Sequence, residues 1–326
     1  MKKFFFILTT ALLSVGLAAC SAGTTASKGK SDGKLTIYTT IFPIQDFTEK
    51  IGGSYVNAQS VYPANADAHS FEPSSKTMVE MAEGDAFIYS GSGAEAFADK
   101  TATTLKEQGV KTVKAADGIK LLSTKEDHAH EEEGHDHDHE SEEHSHEGHD
   151  HGDQDPHVWL DPVYAQQMAK NIKDTLVSLD PDHKEQYTKN YETLKNELES
   201  LHKDFKTTLT NAKHKEILVS HAAYGYWENR YDLVQLSVLG LSASEEPSQK
   251  QLENIVKQAE EHDIQYVIFE NNVSSKVSEI IRNEIGAKSL TLKNLESISE
   301  DDAKKGESYV SLMKQNLNTL KTALND

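Results

Sequence analysis

The stretch YTKNYETLKNELESLHKDFKTTL, from Tyr187 to Leu209, decides the fold. Its apolar residues recur at spacings of 4, 3, 4, 3, 4 and 4, which places one apolar stripe along a helix. Asp180 and Pro181 precede the stretch as an N-cap and a first-turn proline. No glycine or proline interrupts residues 182–211. We therefore predict a helix over 181–211, about 30 residues or ~45 Å long at the usual rise per residue.

Strand-like and helical segments alternate on both sides of this helix. The predicted strands lie at 35–40, 56–62, 86–90, 111–115, 216–220, 234–239, 265–269 and 289–292. The predicted helices lie at 43–52, 74–83, 94–108, 162–179, 222–230, 248–262, 274–285 and 308–324. This alternation predicts an α/β protein of two lobes, 35–180 and 212–326, each a mostly parallel sheet flanked by helices. The long rigid helix joins them, and a ligand site is expected in the cleft between the lobes, at the carboxyl ends of strands.

One segment accounts for most of the negative charge. The chain has 326 residues and a formal net charge of −20, and residues 126–155 hold 14 of its acidic residues, nine histidines and no lysine or arginine. Without those 14 carboxylates the net charge is −6, and the remaining residues are apolar enough to form an ordinary core. The segment has no helix or strand period, so we predict a disordered loop over 126–155. The charge also argues against a nucleic-acid partner.

The N-terminus has the pattern of an export signal. Met1–Lys3 are basic at the lysines, and Phe4–Leu17 form an apolar stretch too short for a mature spanning helix. The stretch ends in LAAC, and its last residue, Cys20, is the only cysteine of the chain. Small residues before this cysteine favour a lipidation site over an ordinary signal peptide. We predict a signal peptide over 1–19 and a lipid-anchored flexible tether over 20–34, which would hold the protein at the outer face of the cytoplasmic membrane.

Three histidine motifs fall in loops or at strand ends. They are DAHSFEP around His69, DPHVWLDP around His157 and SHAAYG around His221. Imidazole binds zinc well at neutral pH, and three imidazoles fill most of a tetrahedral shell. A fourth ligand has to come from elsewhere, and Glu270 and Glu296 both follow C-terminal strands. Position along the chain does not choose between these two carboxylates.

These motifs, in this order, with a lipobox before them and an acidic histidine tract between the first two, resemble the metal-receptor lipoproteins of bacterial ABC importers. The most similar type is the zinc receptor (ZnuA/AdcA-like), and the resemblance covers about 35–326. It implies two α/β lobes joined by a rigid helix, with His69, His157 and His221 as Zn²⁺ ligands. The sequence Leu-Glu-Ser around Glu296 matches the family's last ligand, which implies that Glu270 is a second-shell or structural residue.

The resemblance also implies the partners. A zinc receptor of this type delivers its ion to a membrane permease that works with an ATPase, and it binds one Zn²⁺ tightly in the cleft without catalysing a reaction. We expect a monomer anchored to the membrane by lipid, and no nucleic-acid partner.

The histidines of the acidic tract form a second group. Interleaved with carboxylates, they can gather divalent cations weakly and in many arrangements, so additional weak Zn²⁺ sites and a collecting role are predicted. The nine residues are His128, His130, His135, His137, His139, His144, His146, His149 and His151.

Three other functions are weighed against a zinc receptor. Manganese receptors of the same family resemble this pattern but carry carboxylates at both the third and the fourth ligand positions. This chain has a histidine, His221, at the third position. A surface zinc metallohydrolase needs an open coordination position for water, and the chain contains no His-Glu-x-x-His motif. A surface adhesin would fit the lipid tether but leaves the three histidine motifs unexplained.

Overall fold

A computed structural model describes residues 33–123, 154–242, 247–271 and 275–326. The predicted signal peptide, Cys20, most of the tether and the nine tract histidines lie outside the described residues. None of the helices in the described part of the chain has the length and apolar character that a bilayer-spanning segment needs.

The first lobe is built on a parallel sheet. Its elements, in chain order, are β1 (Leu35–Thr39), α1 (Phe42–Gly52), β2 (Val56–Ser60), α2 (Ser75–Glu83), β3 (Ala86–Tyr89), α3 (Ala98–Glu107) and β4 (Lys111–Lys114). The strand order is β2-β1-β3-β4. Leu35 pairs with Val56 and Ile37 with Ala86, and every pairing in this sheet is parallel. The carboxyl ends of β1, β2 and β3 therefore lie at the same edge of the sheet.

After this sheet, the chain forms a two-stranded antiparallel ladder. Its strands are β5 (Leu122–Ser123) and β6 (Gln154–Asp155), with Leu122 opposite Asp155. The disordered tract predicted over 126–155 includes Gln154 and Asp155, and for these two residues the prediction was wrong. Gln154 and Asp155 are held by backbone pairing with a segment 31 or more residues earlier, which no local pattern reports.

Two helices follow, α4 (Pro162–Leu179) and α5 (Lys184–Thr210). The long predicted helix is confirmed as α5, with 27 residues after a short 3-10 turn at Pro181–His183. Six of its seven stripe residues are buried: Tyr187, Leu194, Leu198, Leu201, Phe205 and Leu209. The helix packs against helices of both lobes, so burial of its apolar stripe connects the two lobes.

The second lobe repeats the alternation. Its elements are β7 (Glu216–Val219), α6 (Gly225–Tyr231), β8 (Val234–Ser237), α7 (Gln249–Glu261), β9 (Tyr266–Glu270), α8 (Lys276–Glu284), β10 (Lys288–Leu292), α9 (Glu300–Lys304) and α10 (Tyr309–Ala323). The strand order is β10-β9-β7-β8, and all pairings are parallel. The predicted α/β class with two parallel sheets is confirmed.

A shared core joins the lobes. One large cluster of buried side chains runs from Ile37 on β1 through Leu198 on α5 to Trp227 on α6 and Tyr309 on α10. A smaller cluster, including Val267 on β9, lies under α7 and α8. The large cluster contains side chains from both sheets, so the two lobes share one core.

Three local differences from the sequence prediction have physical reasons. The helix expected from residue 94 begins at Ala98, because Gly91 and Gly93 adopt positive φ in the preceding loop. The helix expected from residue 222 begins at Gly225, since residues 220–224 form the loop that connects β7 to it. The short α9 was not predicted, although Ser299 caps it and its first turn is acidic, which are readable start signals.

Candidate metal centre

The structure brings His69, His157, His221 and Glu296 together. One potential ligand atom from each residue lies within 4.8 Å of the others, and this is the one such group found among the described residues. His69 lies in the loop after β2, His221 lies in the loop after β7, and Glu296 lies in the loop after β10. His157 lies between β6 and a 3-10 turn at Val158–Leu160. Loops after strands of the two parallel sheets thus supply His69, His221 and Glu296, as open α/β sheets usually do at ligand sites, and the segment after β6 supplies His157.

The group is compact and largely closed to solvent. His69 Nε2 lies 3.5 Å from Glu296 Oε1, and His157 Nε2 lies 3.9 Å from the same oxygen. The ring centroids of His157 and His221 are 4.9 Å apart. The side chains of His157 and His221 are 0% exposed and that of Glu296 is 2% exposed, whereas that of His69 is 15% exposed. An ion would therefore enter past His69.

Asp155 orients His157. Its Oδ1 accepts a hydrogen bond from the His157 backbone N–H at 2.9 Å and lies 2.8 Å from His157 Nδ1. A carboxylate beside Nδ1 favours the tautomer with its proton on Nδ1, which leaves the Nε2 lone pair for a metal. Asp155 is the first residue of the DPHVWLDP motif, but its role behind His157 is visible only in the structure.

Glu270 lies against His221 and outside the group of four. Its Oε2 is 3.1 Å from His221 Nδ1 and its Oε1 is 3.3 Å away. Tyr224 Oη donates to Glu270 Oε1 at 3.0 Å, and Asn294 Nδ2 donates to Oε2 at 2.9 Å. Sequence reasoning missed Tyr224 and Asn294, because they are 46 and 24 residues from Glu270 along the chain.

Glu296 belongs to the second lobe and is held by hydrogen bonds from the first lobe. The Ala68 backbone N–H donates to its Oε2 at 3.1 Å, and the Phe42 N–H donates to its backbone carbonyl at 3.1 Å. The preceding residue, Leu295, has φ +62°, a left-handed conformation that a bulky side chain rarely adopts. Such strain persists where the surrounding structure over-determines it, and here it turns the Glu296 carboxylate toward the histidines.

Two imidazole nitrogens in the group lack the usual partners of buried polar atoms. Within the described residues, His69 Nε2 and His157 Nε2 are buried and have no hydrogen-bond partner. His221 Nε2 differs, since it donates to the Leu241 carbonyl at 2.7 Å. Buried polar atoms without partners are rare and unfavourable. A cation bound here would accept the Nε2 lone pairs of His69 and His157. At His221 it would have to displace the hydrogen bond from Nε2 to the Leu241 carbonyl.

The site's charges are coupled. Burial opposes the charge on His221, but Glu270, together with Glu296 and the Leu241 carbonyl, outweighs burial and raises the pKa of His221 to about 9. Burial also opposes the charge on His69, yet the Glu296 carboxylate raises the pKa of His69 overall. The pKa of His157 is lowered, because burial outweighs Asp155 there. Burial would raise the pKa of Glu296, but the histidines, His69 foremost, lower it. The group therefore combines imidazoles with an ionised carboxylate.

This donor set suits one class of ion. Three imidazoles and one carboxylate match the ligands and the number that tetrahedral zinc takes. Manganese is better served by oxygen-rich sites.

Residues 37–323 match the protein family described as "Zinc-uptake complex component A periplasmic". The chain belongs to this family.

Two relatives match nearly the whole of this chain. The chain is 37% identical over 325 residues to the zinc-binding lipoprotein AdcA of Streptococcus pneumoniae serotype 4, covering 98% of this chain and 61% of that protein. It is 35% identical over 326 residues to the high-affinity zinc uptake system protein ZnuA of Bacillus subtilis, covering 99% of this chain and 98% of that protein. The chain thus spans about three fifths of the streptococcal relative.

A solved structure in the family superposes on this fold. It is the Zn(II)-bound ZnuA-like domain of S. pneumoniae AdcA, with a TM-score of 0.73 and 33% identity. The match covers 90% of this chain and 100% of that domain. The zinc-receptor family inferred from the histidine motifs is confirmed.

Proposed function

We propose that this protein is an extracytoplasmic receptor that captures Zn²⁺ through His69, His157, His221 and Glu296. The observation that carries the proposal is the buried group of four side chains, with ligand atoms within 4.8 Å of one another. Four protein ligands replace the hydration shell of the ion, so the binding should be tight. Closed zinc sites contribute ~12 kcal/mol or more, which corresponds to a dissociation constant of about nanomolar or below.

Zinc is favoured over manganese by the third ligand. His221 supplies a nitrogen where an oxygen-rich manganese site would use a carboxylate, and only Glu296 in the group offers oxygen. The names of the S. pneumoniae and B. subtilis relatives also refer to zinc. The manganese-receptor alternative has no comparable support.

The donor set supports capture rather than catalysis. A catalytic zinc keeps three protein ligands and an open position for water, whereas this group offers four ligands. Glu270, a conceivable general base, is engaged by His221, Tyr224 and Asn294. A surface zinc hydrolase is therefore the weaker reading.

Delivery requires partners at the membrane. The family description places such proteins in a zinc-uptake complex, which supports hand-over of the ion to an ABC permease and its ATPase. Lipidation at Cys20 would keep the receptor at the outer face of the membrane, near that permease. The nine tract histidines would raise the supply of loosely bound zinc.

A competition titration with a zinc chelator tests the proposal. We expect the mature protein to bind one Zn²⁺ at about nanomolar affinity or tighter, and Mn²⁺ far more weakly under the same conditions. Equal or tighter Mn²⁺ binding would refute the metal assignment. A chain with no tight event, after complete metal removal, would refute the receptor function itself.

A further inference from the structure

Asp155 bridges the two lobes as well as orienting a proposed ligand. It lies on β6, where it pairs with Leu122 of β5, and its side chain is 5% exposed. One carboxylate oxygen, Oδ1, is occupied by His157. The other oxygen and the backbone carbonyl both meet residues of α6 in the second lobe. The position of the His157 ring therefore depends on what α6 presents to Asp155.

Gly225, the first residue of α6, leaves room for that carboxylate. A Cβ at this position would lie 2.5 Å from Asp155 Oδ2, closer than real contacts allow. Gly225 lies in a helix and does not adopt a positive φ, so its backbone conformation does not call for glycine. Alanine would be the better helix former there by about 0.5–1 kcal/mol. The close approach of Asp155 is the physical reason for glycine at this position.

Tyr226, the next residue, fastens the same segment. Its Oη donates to the Asp155 carbonyl at 2.8 Å and accepts the Leu122 N–H at 3.2 Å. Tyr226 is buried, with 1% exposure. One hydroxyl thus bonds to both strands of the β5–β6 ladder. In the sequence, the histidine-rich tract lies between these two strands.

We propose that Gly225 and Tyr226 form a seat for Asp155 that positions His157 for zinc across the lobe interface. This inference rests on the proposed zinc function. The seat consists of the space above Gly225 and the Tyr226 hydroxyl. Both act through Asp155 and neither touches the metal, so they are positioning residues. When the seat is disturbed, Asp155 Oδ1 leaves His157 Nδ1, and the ring no longer presents Nε2 in a set direction.

Single substitutions give the first test. Gly225→Ala should weaken Zn²⁺ binding by about tenfold or more, as loss of a partner behind a ligand typically does. Tyr226→Phe should weaken it by about threefold to tenfold, the usual effect of one hydrogen bond. Tyr187→Phe is the matched control, because its buried hydroxyl donates to Asp180, away from the site. Melting curves of the metal-free proteins check that each variant folds.

A double-mutant cycle separates positioning from general damage. Asp155→Ala alone should cost about 10- to 100-fold in zinc affinity. Gly225→Ala added to Asp155→Ala should cost nothing further, because the clashing carboxylate is gone. The visible absorption of Co²⁺ bound in place of Zn²⁺ should change in Gly225→Ala and stay unchanged in Tyr187→Phe, since it reports ligand geometry.

The outcomes are distinguishable from failure of the receptor itself. If the unmodified protein binds zinc tightly while Gly225→Ala and Tyr226→Phe bind within twofold of it, the seat is wrong and the receptor stands. Independent, multiplying losses in the cycle would likewise overturn the seat. If Gly225→Ala does not fold, the same cycle with Tyr226→Phe and Asp155→Ala decides. Absence of tight binding in the unmodified protein would remove the receptor function instead.

Discussion

Glu270 Oε2 lies 3.1 Å from His221 Nδ1, and this contact separates the roles of two carboxylates that look alike in the sequence. Glu270 is engaged behind a proposed ligand by His221, Tyr224 and Asn294. Glu296 lies within the group of four potential ligands. The pair is thus a natural internal comparison, since both glutamates are buried, Glu270 as the last residue of β9 and Glu296 in the loop after the neighbouring strand β10.

Glu296→Ala should therefore weaken tight zinc binding more than Glu270→Ala does. The first change opens the coordination shell to water, whereas the second removes only the partner of His221, which typically costs 10- to 100-fold. Competition titration with a chelator measures both variants side by side. The opposite order would exchange the two roles.

Removing the histidine-rich tract and mutating the cleft should produce different losses. Deletion of residues 127–153 should lower the number of weakly bound zinc ions and leave the tight event intact, because a tract with the composition of a disordered segment would have to become ordered when it binds an ion. His69→Ala should keep the weak events and degrade the tight one, since three ligands hold the ion less well.

Calorimetry of the two variants at neutral pH resolves these classes. Loss of the tight event on tract deletion, together with an intact tight event in His69→Ala, would contradict the cleft site. Growth of a strain carrying the deletion should suffer only when zinc is scarce, because capture limits supply only then.

Zinc binding should release protons at neutral pH. His221 has a pKa raised to about 9, so the metal-free protein carries a proton there that the ion must displace. Affinity should therefore rise with pH up to about 9. Calorimetry in two buffers of different ionisation enthalpy measures the proton count, and a binding enthalpy that is the same in both buffers would argue against it.

The metal-free protein should lose stability as its pH rises from neutral to alkaline. The folded-state pKa of His221 is above its ordinary value of 6.5, so its contribution is complete below about 6.5 and is lost as pH rises through about 9. At 1.36 kcal/mol per pKa unit, the contribution is roughly 3 kcal/mol. The raised pKa of His69 acts in the same direction.

Chemical denaturation of the metal-free protein across this range tests the effect. Glu270→Gln removes the charge that raises the His221 pKa, so this variant should lack most of the decline. A stability curve that is flat between neutral pH and pH 9, or equal slopes in both proteins, would contradict the His221–Glu270 pair as its source.

Local patterns in the sequence determined much of this protein. The stripe from Tyr187 to Leu209 predicts its own burial, because residues three and four apart share one face of a helix wherever that helix packs. Alternating strands and helices predict parallel sheets, and parallel sheets collect ligands at one edge. His69, His157 and His221 could be selected for the same reason, since each stands in a loop or at a strand end in a distinctive motif.

Tertiary structure alone decided what lies between those residues. Glu270 and Glu296 look alike in the sequence, and only the packing of β9 and β10 puts Glu270, at the end of β9, behind His221 and puts Glu296, in the loop after β10, among the proposed ligands. Asp155 and Gly225 are 70 residues apart, yet they approach so closely that a Cβ has no room. Propensity and periodicity act over a few neighbouring residues, whereas these contacts arise where two lobes pack on a shared core, and distance through space is not encoded in local spacing.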